Sequence, residues 1–391
     1  MSTIAFLNIA MHGRVNPTLP IVAELVRRGH TVSYHTSPAF ATKVEAAGAT
    51  VRLYPGVDQP LPDPPIPLTL LRGLAEAAVG LLPVVVGELR RVRPDLIVHD
   101  SACPWGALAA RELGVPAASS FTTFAFNREA PSPTRLSREL LAEAVANPAA
   151  AIGFLRARLK LGRGLPLTDL GNLRQPLNLV YTSRAFQIGA DGFDRSYRFV
   201  GPSIGARPPD PSFPIDELKD PVLYASLGTV FDADPKLLRT FAAALAPLGG
   251  TVVVATGGHD PAELGPLPGN VIARQSVPQP EVLARAALFI THGGMNGTNE
   301  ALYAGVPMLV VPQGADQPLV ASRVVALGAG LSLTNAEVSE DVVRDRARQL
   351  LDDPRFREAA QIMSTAQQQA GGPLRAVDEL QRYLKIVPAE R

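Results

Sequence analysis

One stretch near the C-terminal end, residues 288–317, constrains the fold more than any other part of the chain. It begins with a short apolar run, turns at the pair Gly293-Gly294, continues as a helix-competent segment at 295–304, and returns to an apolar run at 306–311. Apolar runs too short for helices predict buried strands, and two strands joined by one helix run parallel. The stretch therefore predicts a strand, turn, helix and strand of a parallel α/β sheet.

The turn in this stretch also predicts a ligand. Glycine lets a backbone approach a bound group closely, and the first N–H groups of a helix attract anions, so the turn suits a diphosphate. A glycine-rich helix cap without a ligand would explain the glycine pair. It would not explain His292, Glu300, Asp316 and Gln317 together.

The N-terminal half shows the same alternation. Predicted strands at 3–10, 31–35 and 50–54 are separated by helical patterns at 17–28 and 38–47. This order indicates a parallel sheet wound on both faces, which binds ligands at the carboxyl ends of its strands.

Two polar residues lie at that edge. His12 follows the first strand, and Asp100 follows a strand at 96–99. As a pair they would make a general base and the carboxylate that orients it. Alternatively, His12 caps a turn and Asp100 caps the helix that begins near Pro104.

The polar residues of the first stretch form a longer pattern. His292-Gly-Gly-Met-Asn296-Gly-Thr298-Asn-Glu300, with Asp316-Gln317 sixteen and seventeen residues beyond Glu300, resembles the sugar-nucleotide signature of the UDP-glycosyltransferase superfamily. Within it, the chain most resembles the bacterial macrolide and natural-product group. The resemblance implies an α/β GT-B fold, with two facing Rossmann-like domains and a cleft between them.

The resemblance also favours the catalytic interpretation of the N-terminal residues. In that group the base is a histidine in an H-G-x-x-N-P loop, which this chain matches at His12, Gly13, Asn16 and Pro17. Asp100 matches the partner aspartate after a strand. Together they imply inverting transfer to an acceptor hydroxyl.

In the second domain the resemblance implies a donor site. His292 would donate to a phosphate oxygen, Glu300 would accept from ribose hydroxyls, and Asp316-Gln317 would hold the sugar. The predicted donor-binding residues are Ser226, Gly228, Thr229, Val277, Gln279, His292, Gly294, Asn296, Gly297, Thr298, Glu300, Asp316 and Gln317.

The chain departs from the pattern of the plant members at several positions. Ser276 stands where a tryptophan usually stacks on uracil, and Gly293, Met295 and Gly297 also differ. UDP and dTDP donors therefore both stay open, although the backbone of Val277 can still bind a pyrimidine.

For the acceptor, aromatic residues near the fifth strand are the candidates: Phe121, Phe124 and Phe126. The region 128–178 matches the variable helices and loops that cover an apolar acceptor in the family. Ordinary core packing is the alternative for these side chains.

Proline clusters predict the domain boundaries. We expect an acceptor-binding domain at 1–205, a linker at 206–220 and a nucleotide-sugar domain at 221–372. The remaining segment, 373–391, is expected to be a helix that packs back on the first domain.

Composition excludes several other classes. Lys and Arg number 37 against 36 Asp and Glu, which argues against nucleic acid or a strongly basic membrane patch as a partner. Cys103 is the single cysteine, so we expect no disulfide and a cytoplasmic location. No signal peptide is evident, and the longest apolar run, 77–87, contains Pro83 and is shorter than the ~20 residues of a membrane span.

One pair of carboxylates raises the alternative of a metal site. Asp232 and Asp234 form a D-x-D triplet of the kind that holds a divalent cation. Asp234-Pro235 is equally an N-cap and first helical residue, which explains the local sequence. We therefore expect no metal and no other cofactor.

The sequence thus predicts an inverting, metal-independent O-glycosyltransferase that moves a hexose, with UDP-glucose as donor, to an apolar natural product such as a macrolide or polyphenol. A dTDP-deoxysugar donor is the nearest alternative. An epimerase or hydrolase acting on the nucleotide sugar alone, or a binding module without catalysis, is a rival of another class. The oligomeric state is open.

Overall fold

The protein consists of two compact units, Met1–Gly205 with Ala370–Arg391, and Ala206–Gln369. The computed structural model describes residues 1–56, 67–132, 135–162, 169–205, 210–228 and 234–386. Each unit is built on one fully parallel sheet, which is the predicted α/β class.

The first unit has a sheet of seven strands in the order β3-β2-β1-β4-β5-β6-β7. The strands are β1 (Thr3–Leu7), β2 (Thr31–Thr36), β3 (Thr50–Leu53), β4 (Leu96–Asp100), β5 (Ala117–Phe121), β6 (Leu177–Val180) and β7 (Tyr197–Phe199). The helices are α1 (His12–Val15), α2 (Leu19–Arg27), α3 (Ala41–Ala46), α4 (Pro67–Val92), α5 (Pro104–Leu113), α6 (Arg138–Ala146) and α7 (Pro148–Lys160).

Side chains of β1 explain why this sheet is covered on both faces. Ile4 and Phe6 belong to one buried cluster, whereas Ala5 and Leu7 belong to another. Successive side chains of a strand point to opposite faces, so a continuous apolar strand must be buried on both.

The helix α4 is long and apolar enough to cross a membrane by length and composition. In the structure it is a core helix, because nine of its side chains are buried, among them Leu71, Leu81 and Leu89. The predicted apolar run with Pro83 lies inside it.

The second unit has six strands in the order β10-β9-β8-β11-β12-β13. They are β8 (Val222–Ser226), β9 (Thr251–Ala255), β10 (Val271–Arg274), β11 (Ala286–Thr291), β12 (Met308–Val310) and β13 (Gly330–Ser332). The helices are α8 (Pro235–Leu245), α9 (Gln279–Arg285), α10 (Met295–Ala304), α11 (Gln317–Ala326), α12 (Glu340–Asp352) and α13 (Pro354–Gln369). The predicted helix 295–304 matches α10, and Gly305 ends it with φ 69°.

The last helix, α14 (Gly372–Ile386), belongs to the first unit and packs against α2, where Arg28 Nη1 lies 2.6 Å from Asp378 Oδ1. Of the predicted linker, 206–220, residues 206–209 lie outside the described part. Residues 210–220 are grouped with the second unit, where Arg285 donates to the carbonyl of Leu218 at 2.7 Å, and the linker stays a prediction.

Candidate active site

His12 lies just beyond the carboxyl end of β1, in the short helix α1. Leu7 of β1 pairs in register with His99 of β4, so the two strands are neighbours, as the sequence predicts. The imidazole is exposed and meets the ring of Phe40 edge-on, with centroids 4.9 Å apart. A side chain at this switch point of a parallel sheet is placed to meet a ligand.

The surroundings of His12 favour its neutral form. Partial desolvation lowers the pKa of the imidazole below its usual value, and the positive charge of Lys43 acts in the same direction. The neutral ring is the form that accepts a proton, so His12 is electrostatically suited to act as a base.

Asp100 has a different partner from the predicted one. Its carboxylate is fully buried and accepts from the N–H of Ala102 at 2.8 Å and from Arg14 Nη1 at 3.3 and 3.4 Å. Arg14 also donates to Thr122 Oγ1 at 3.0 Å. Within the described residues, no hydrogen bond joins His12 to Asp100, so the orienting role of Asp100 stays a prediction. A buried carboxylate needs a counter-charge, and the guanidinium of Arg14 supplies it to Asp100.

The second unit has its own switch point between β8 and β11, where Ser226 pairs with Thr291. His292 follows at once, and its imidazole lies between two glycines. A Cβ on Gly228 would fall 2.6 Å from His292 Cε1, and one on Gly294 would fall 2.3 Å from Nε2. Glycine at both positions is therefore required by the histidine itself, as well as by the φ of 80° at Gly228.

Burial of this imidazole changes its chemistry. Desolvation lowers the pKa of His292 to about 4, although the nearby Ser226 backbone opposes the shift. The buried Nδ1 atom has no hydrogen-bond partner among the described residues. A buried polar atom without a partner costs free energy, which a ligand at this position would recover.

The helix α10 begins immediately after this histidine. Its N-cap residue, Gly294, has no side chain that could cap the first N–H groups of the helix. The side chain of Thr298 is fully buried, and its Oγ1 has no hydrogen-bond partner among the described residues. Its N–H bonds to the carbonyl of Gly294 at 3.0 Å, so only the hydroxyl is left for a donor contact, which stays a prediction.

A hydrogen-bonded chain lies under the predicted ribose contact. The hydroxyl of Tyr224 donates to Gln279 Oε1 at 2.9 Å, and Gln279 Nε2 donates to Glu300 Oε2 at 2.7 Å. Gln279 thus positions the Glu300 carboxylate. Sequence reasoning missed Tyr224, whose only signal was a phenol hydroxyl inside a buried strand.

Asp316 and Gln317 lie at the start of α11, with Asp316 as its N-cap. Gln317 is buried, and its Oε1 accepts from the N–H groups of Gln313 and Gly314 at 2.7 and 3.1 Å. The amide oxygen of Gln317 therefore holds the 313–317 loop together. Its amide nitrogen is the side-chain atom that could donate to a sugar hydroxyl.

The remaining predicted donor residues occupy varied places. Ser226 is buried and its Oγ accepts from the N–H of Gly228 at 3.4 Å. The carbonyl of Val277 accepts from the N–H of Gln279 at 2.8 Å. Asn296 and Gly297 lie half-buried in the first turn of α10, whereas Thr229 lies outside the described residues.

Comparison with known proteins decides the family. Residues 239–382 match the family model described as "Erythromycin biosynthesis protein CIII-like, C-terminal domain". NDP-glycosyltransferase YjiC of Bacillus subtilis is 34% identical over 98% of this chain and 97% of its own. Oleandomycin glycosyltransferase of Streptomyces antibioticus is 34% identical over 97% of this chain and 90% of its own. The chain belongs to the bacterial natural-product glycosyltransferases.

The fold of this glycosyltransferase agrees with that assignment. The crystal structure of CalG4, the calicheamicin glycosyltransferase, matches 99% of each chain with a TM-score of 0.81 and 33% identity. The two parallel-sheet units are those of the GT-B fold, as the sequence predicts.

The phenylalanines predicted to contact the acceptor are core residues in the glycosyltransferase. Phe121, Phe124 and Phe126 are 0%, 1% and 7% exposed, and Phe124 packs on Phe186 with ring centroids 5.2 Å apart. Their burial favours the alternative of core packing, and contact with an acceptor stays a prediction.

Of the two aspartates of the D-x-D triplet, only Asp234 lies within the described residues. Asp234 is the N-cap of α8, where its side chain accepts from the N–H of Lys236 at 2.9 Å, and Asp232 lies outside the described residues. The helix cap explains Asp234 as the sequence analysis expected.

Proposed function

We propose that this glycosyltransferase moves a hexose, glucose from UDP-glucose, to a hydroxyl of an apolar natural product such as a macrolide or polyphenol. Transfer inverts the anomeric centre and uses no metal. The first unit binds the acceptor and the second binds the nucleotide sugar. The enzyme acts in the cytoplasm, where its buried free thiol, Cys103, stays reduced.

The observation that carries the donor proposal is the environment of His292. Its buried Nδ1 lacks a partner, and the start of α10 adjoins it without a side-chain cap. An anionic diphosphate accepts from such an N–H and from helix N-terminal amides. Because protein dipoles then stabilise the leaving group, a divalent cation is unnecessary.

In the proposed reaction, His12 receives the proton of the acceptor and the nucleoside diphosphate leaves with the electron pair of the broken bond. His12 takes the proton of the acceptor hydroxyl, and the oxygen attacks the anomeric carbon from the face opposite the leaving group. The bond from that carbon to the diphosphate breaks, and the nucleoside diphosphate leaves with the electron pair. Asp100, held by Arg14, contributes a fixed charge to the loop of His12.

The nature of the acceptor rests on the relatives. Oleandomycin glycosyltransferase and the calicheamicin glycosyltransferase are named for antibiotics. By analogy, we propose an apolar secondary metabolite as the acceptor of this chain.

The nucleobase has a specific alternative. Ser276 is exposed and offers no aromatic face for uracil, so a dTDP-deoxysugar donor is the second candidate. An epimerase or hydrolase on the same fold is the third.

One assay separates these candidates. Purified protein is incubated with UDP-glucose or dTDP-glucose, each with and without a panel of macrolides and polyphenols, and products are followed by mass spectrometry. A hexose adduct formed with UDP-glucose supports the proposal, and one formed only with dTDP-glucose replaces the donor. Nucleotide released equally without acceptor, or a changed sugar without an adduct, would refute transfer.

A further inference from the structure

Six of the fifteen large apolar side chains that are exposed in the described residues lie within one stretch, 136–159, on and beside the helices α6 and α7. They are Leu136, Leu141, Val145, Ile152, Leu155 and Leu159. Single exposed apolar residues are ordinary on a protein surface, but a concentration of them marks an interaction site.

The helix α7 has two apolar sides. Ala150, Phe154 and Ala157 are buried with residues of α4. The stripe of Ile152, Leu155 and Leu159, 49%, 52% and 81% exposed, faces solvent at a spacing of three and four residues. Folding of the unit explains the buried side only. An apolar acceptor, which the family resemblance places beside 128–178, would explain exposed apolar side chains but not the basic side chains that border the stripe.

Basic side chains border this stripe. Arg72, Arg156 and Lys160, with one carboxylate, Glu76, line a groove of about 610 Å³ between α4 and α7. Arg72 Nε lies 2.8 Å from Glu76 Oε1, whereas Arg156 and Lys160 form no ion pair with any described residue. Two of the three cations are therefore uncompensated.

A glycine on α7 shapes the groove. A Cβ at Gly153 would lie 2.9 Å from Arg72 Nε and 3.4 Å from Glu76 Oε1. Its absence lets the guanidinium lie across the helix, beside the exposed stripe. The local charge is hidden in the overall composition, in which 37 basic residues nearly balance 36 acidic ones.

An apolar stripe bordered by uncompensated cations is complementary to an anionic bilayer surface. A second copy of the chain docked through the same face would bring Arg156 and Lys160 of both copies together, which like charges oppose. The charge pattern thus favours the membrane.

We propose that the α6–α7 face docks this protein on anionic membrane surfaces. Ile152, Leu155 and Leu159 enter the boundary between head groups and acyl chains, and Arg156 and Lys160 meet lipid phosphates. This surface is independent of the donor site. If the proposed function holds, it also keeps the enzyme where apolar acceptors accumulate.

Co-sedimentation with vesicles tests the proposal with the whole protein. Phosphatidylcholine vesicles are compared with vesicles of equal parts phosphatidylcholine and phosphatidylglycerol. We expect binding to the anionic vesicles that weakens as salt is added. The double variants L155S/L159S and R156E/K160E should each bind at least roughly tenfold more weakly, since each basic residue near such a surface contributes about fivefold.

The controls are I362S, a substitution of another exposed apolar residue, in the second unit, and K236E, an exposed charge reversal there. Both should bind like the unchanged protein, and thermal unfolding should show that all four variants are folded. No sedimentation, equal sedimentation with both vesicles, or a dimer in analytical ultracentrifugation that L155S/L159S dissociates would each overturn the proposal. None of these readouts depends on glycosyl transfer.

Discussion

The guanidinium of Arg14 lies 3.3 Å from the fully buried carboxylate of Asp100. Both residues belong to loops at the same edge of the first sheet, one after β1 and one at the end of β4. Arg14 also bonds to Thr122, so it joins three loops through one side chain. Asp100 is therefore part of an ion pair that organises the loop of His12.

Removal of Arg14 should destabilise the first unit. R14L leaves a buried carboxylate without its counter-charge, which typically costs about 3–5 kcal/mol. The double variant R14L/D100L removes both charges and should recover most of that loss. Chemical denaturation of the four members of this cycle gives the coupling energy, and purely additive effects would show that the pair contributes nothing.

His12 and Asp100 should differ in their effects on transfer. H12A removes the proposed base and should lower turnover by about 10²–10⁴. D100N keeps the bond that Ala102 donates and leaves His12 in place, so its loss should be smaller. Calorimetry with UDP should show unchanged affinity for both, because neither belongs to the donor unit. Retained turnover in H12A would contradict the assigned base.

The charge of Lys43 should shift the acid limit of activity. Burial lowers the pKa of His12 most and the Lys43 cation lowers it further, and the proposed base acts as the neutral ring. Loss of the cation in K43A therefore raises that pKa and shifts the acid limb of the kcat/KM profile to higher pH. K236A, which removes an exposed lysine of the second unit, is the control and should leave the limb in place. A shift to lower pH in K43A would contradict the assignment.

Much of the fold could be predicted because it depends on local patterns. The alternation of apolar runs and amphipathic segments gave both parallel sheets, and Gly305 gave the end of α10. Topology rules for doubly wound sheets were enough to predict that β1 and β4 are neighbours.

Side-chain partners were harder to predict because they depend on tertiary geometry. In the sequence, Arg14 lies two residues from His12. Only the folded structure shows that Arg14 forms an ion pair with Asp100. The burial of the Thr298 side chain depends on what packs around α10, which the residue type alone does not show. Tyr224 bonds to Gln279 fifty-five residues away, a relation that no local pattern encodes.

Steric fit around His292 gives a prediction with a matched control. G294A places a methyl group 2.3 Å from His292 Nε2, so the ring must move and UDP affinity should fall by about tenfold or more. The control is G269A, at an exposed glycine of the second unit that is not among the predicted donor-binding residues, where a Cβ would meet no heavy atom within 4 Å. G269A should bind UDP like the unchanged protein. Equal losses in the two variants would show that the fit around His292 is not what matters.

His292 should also make stability depend on pH. Its pKa is about 4 in the folded protein, against 6.5 when the ring is solvated. Below pH 6.5 the unfolded chain binds a proton that the folded chain does not, so the stability of the second unit falls as pH decreases towards 4. The full loss is up to about 3 kcal/mol, since each pKa unit corresponds to about 1.4 kcal/mol. H292N cannot be protonated, and its thermal unfolding midpoint should fall less between pH 7 and pH 5 than that of the unchanged protein. Parallel pH profiles of the two proteins would show that the ring is not held neutral by burial.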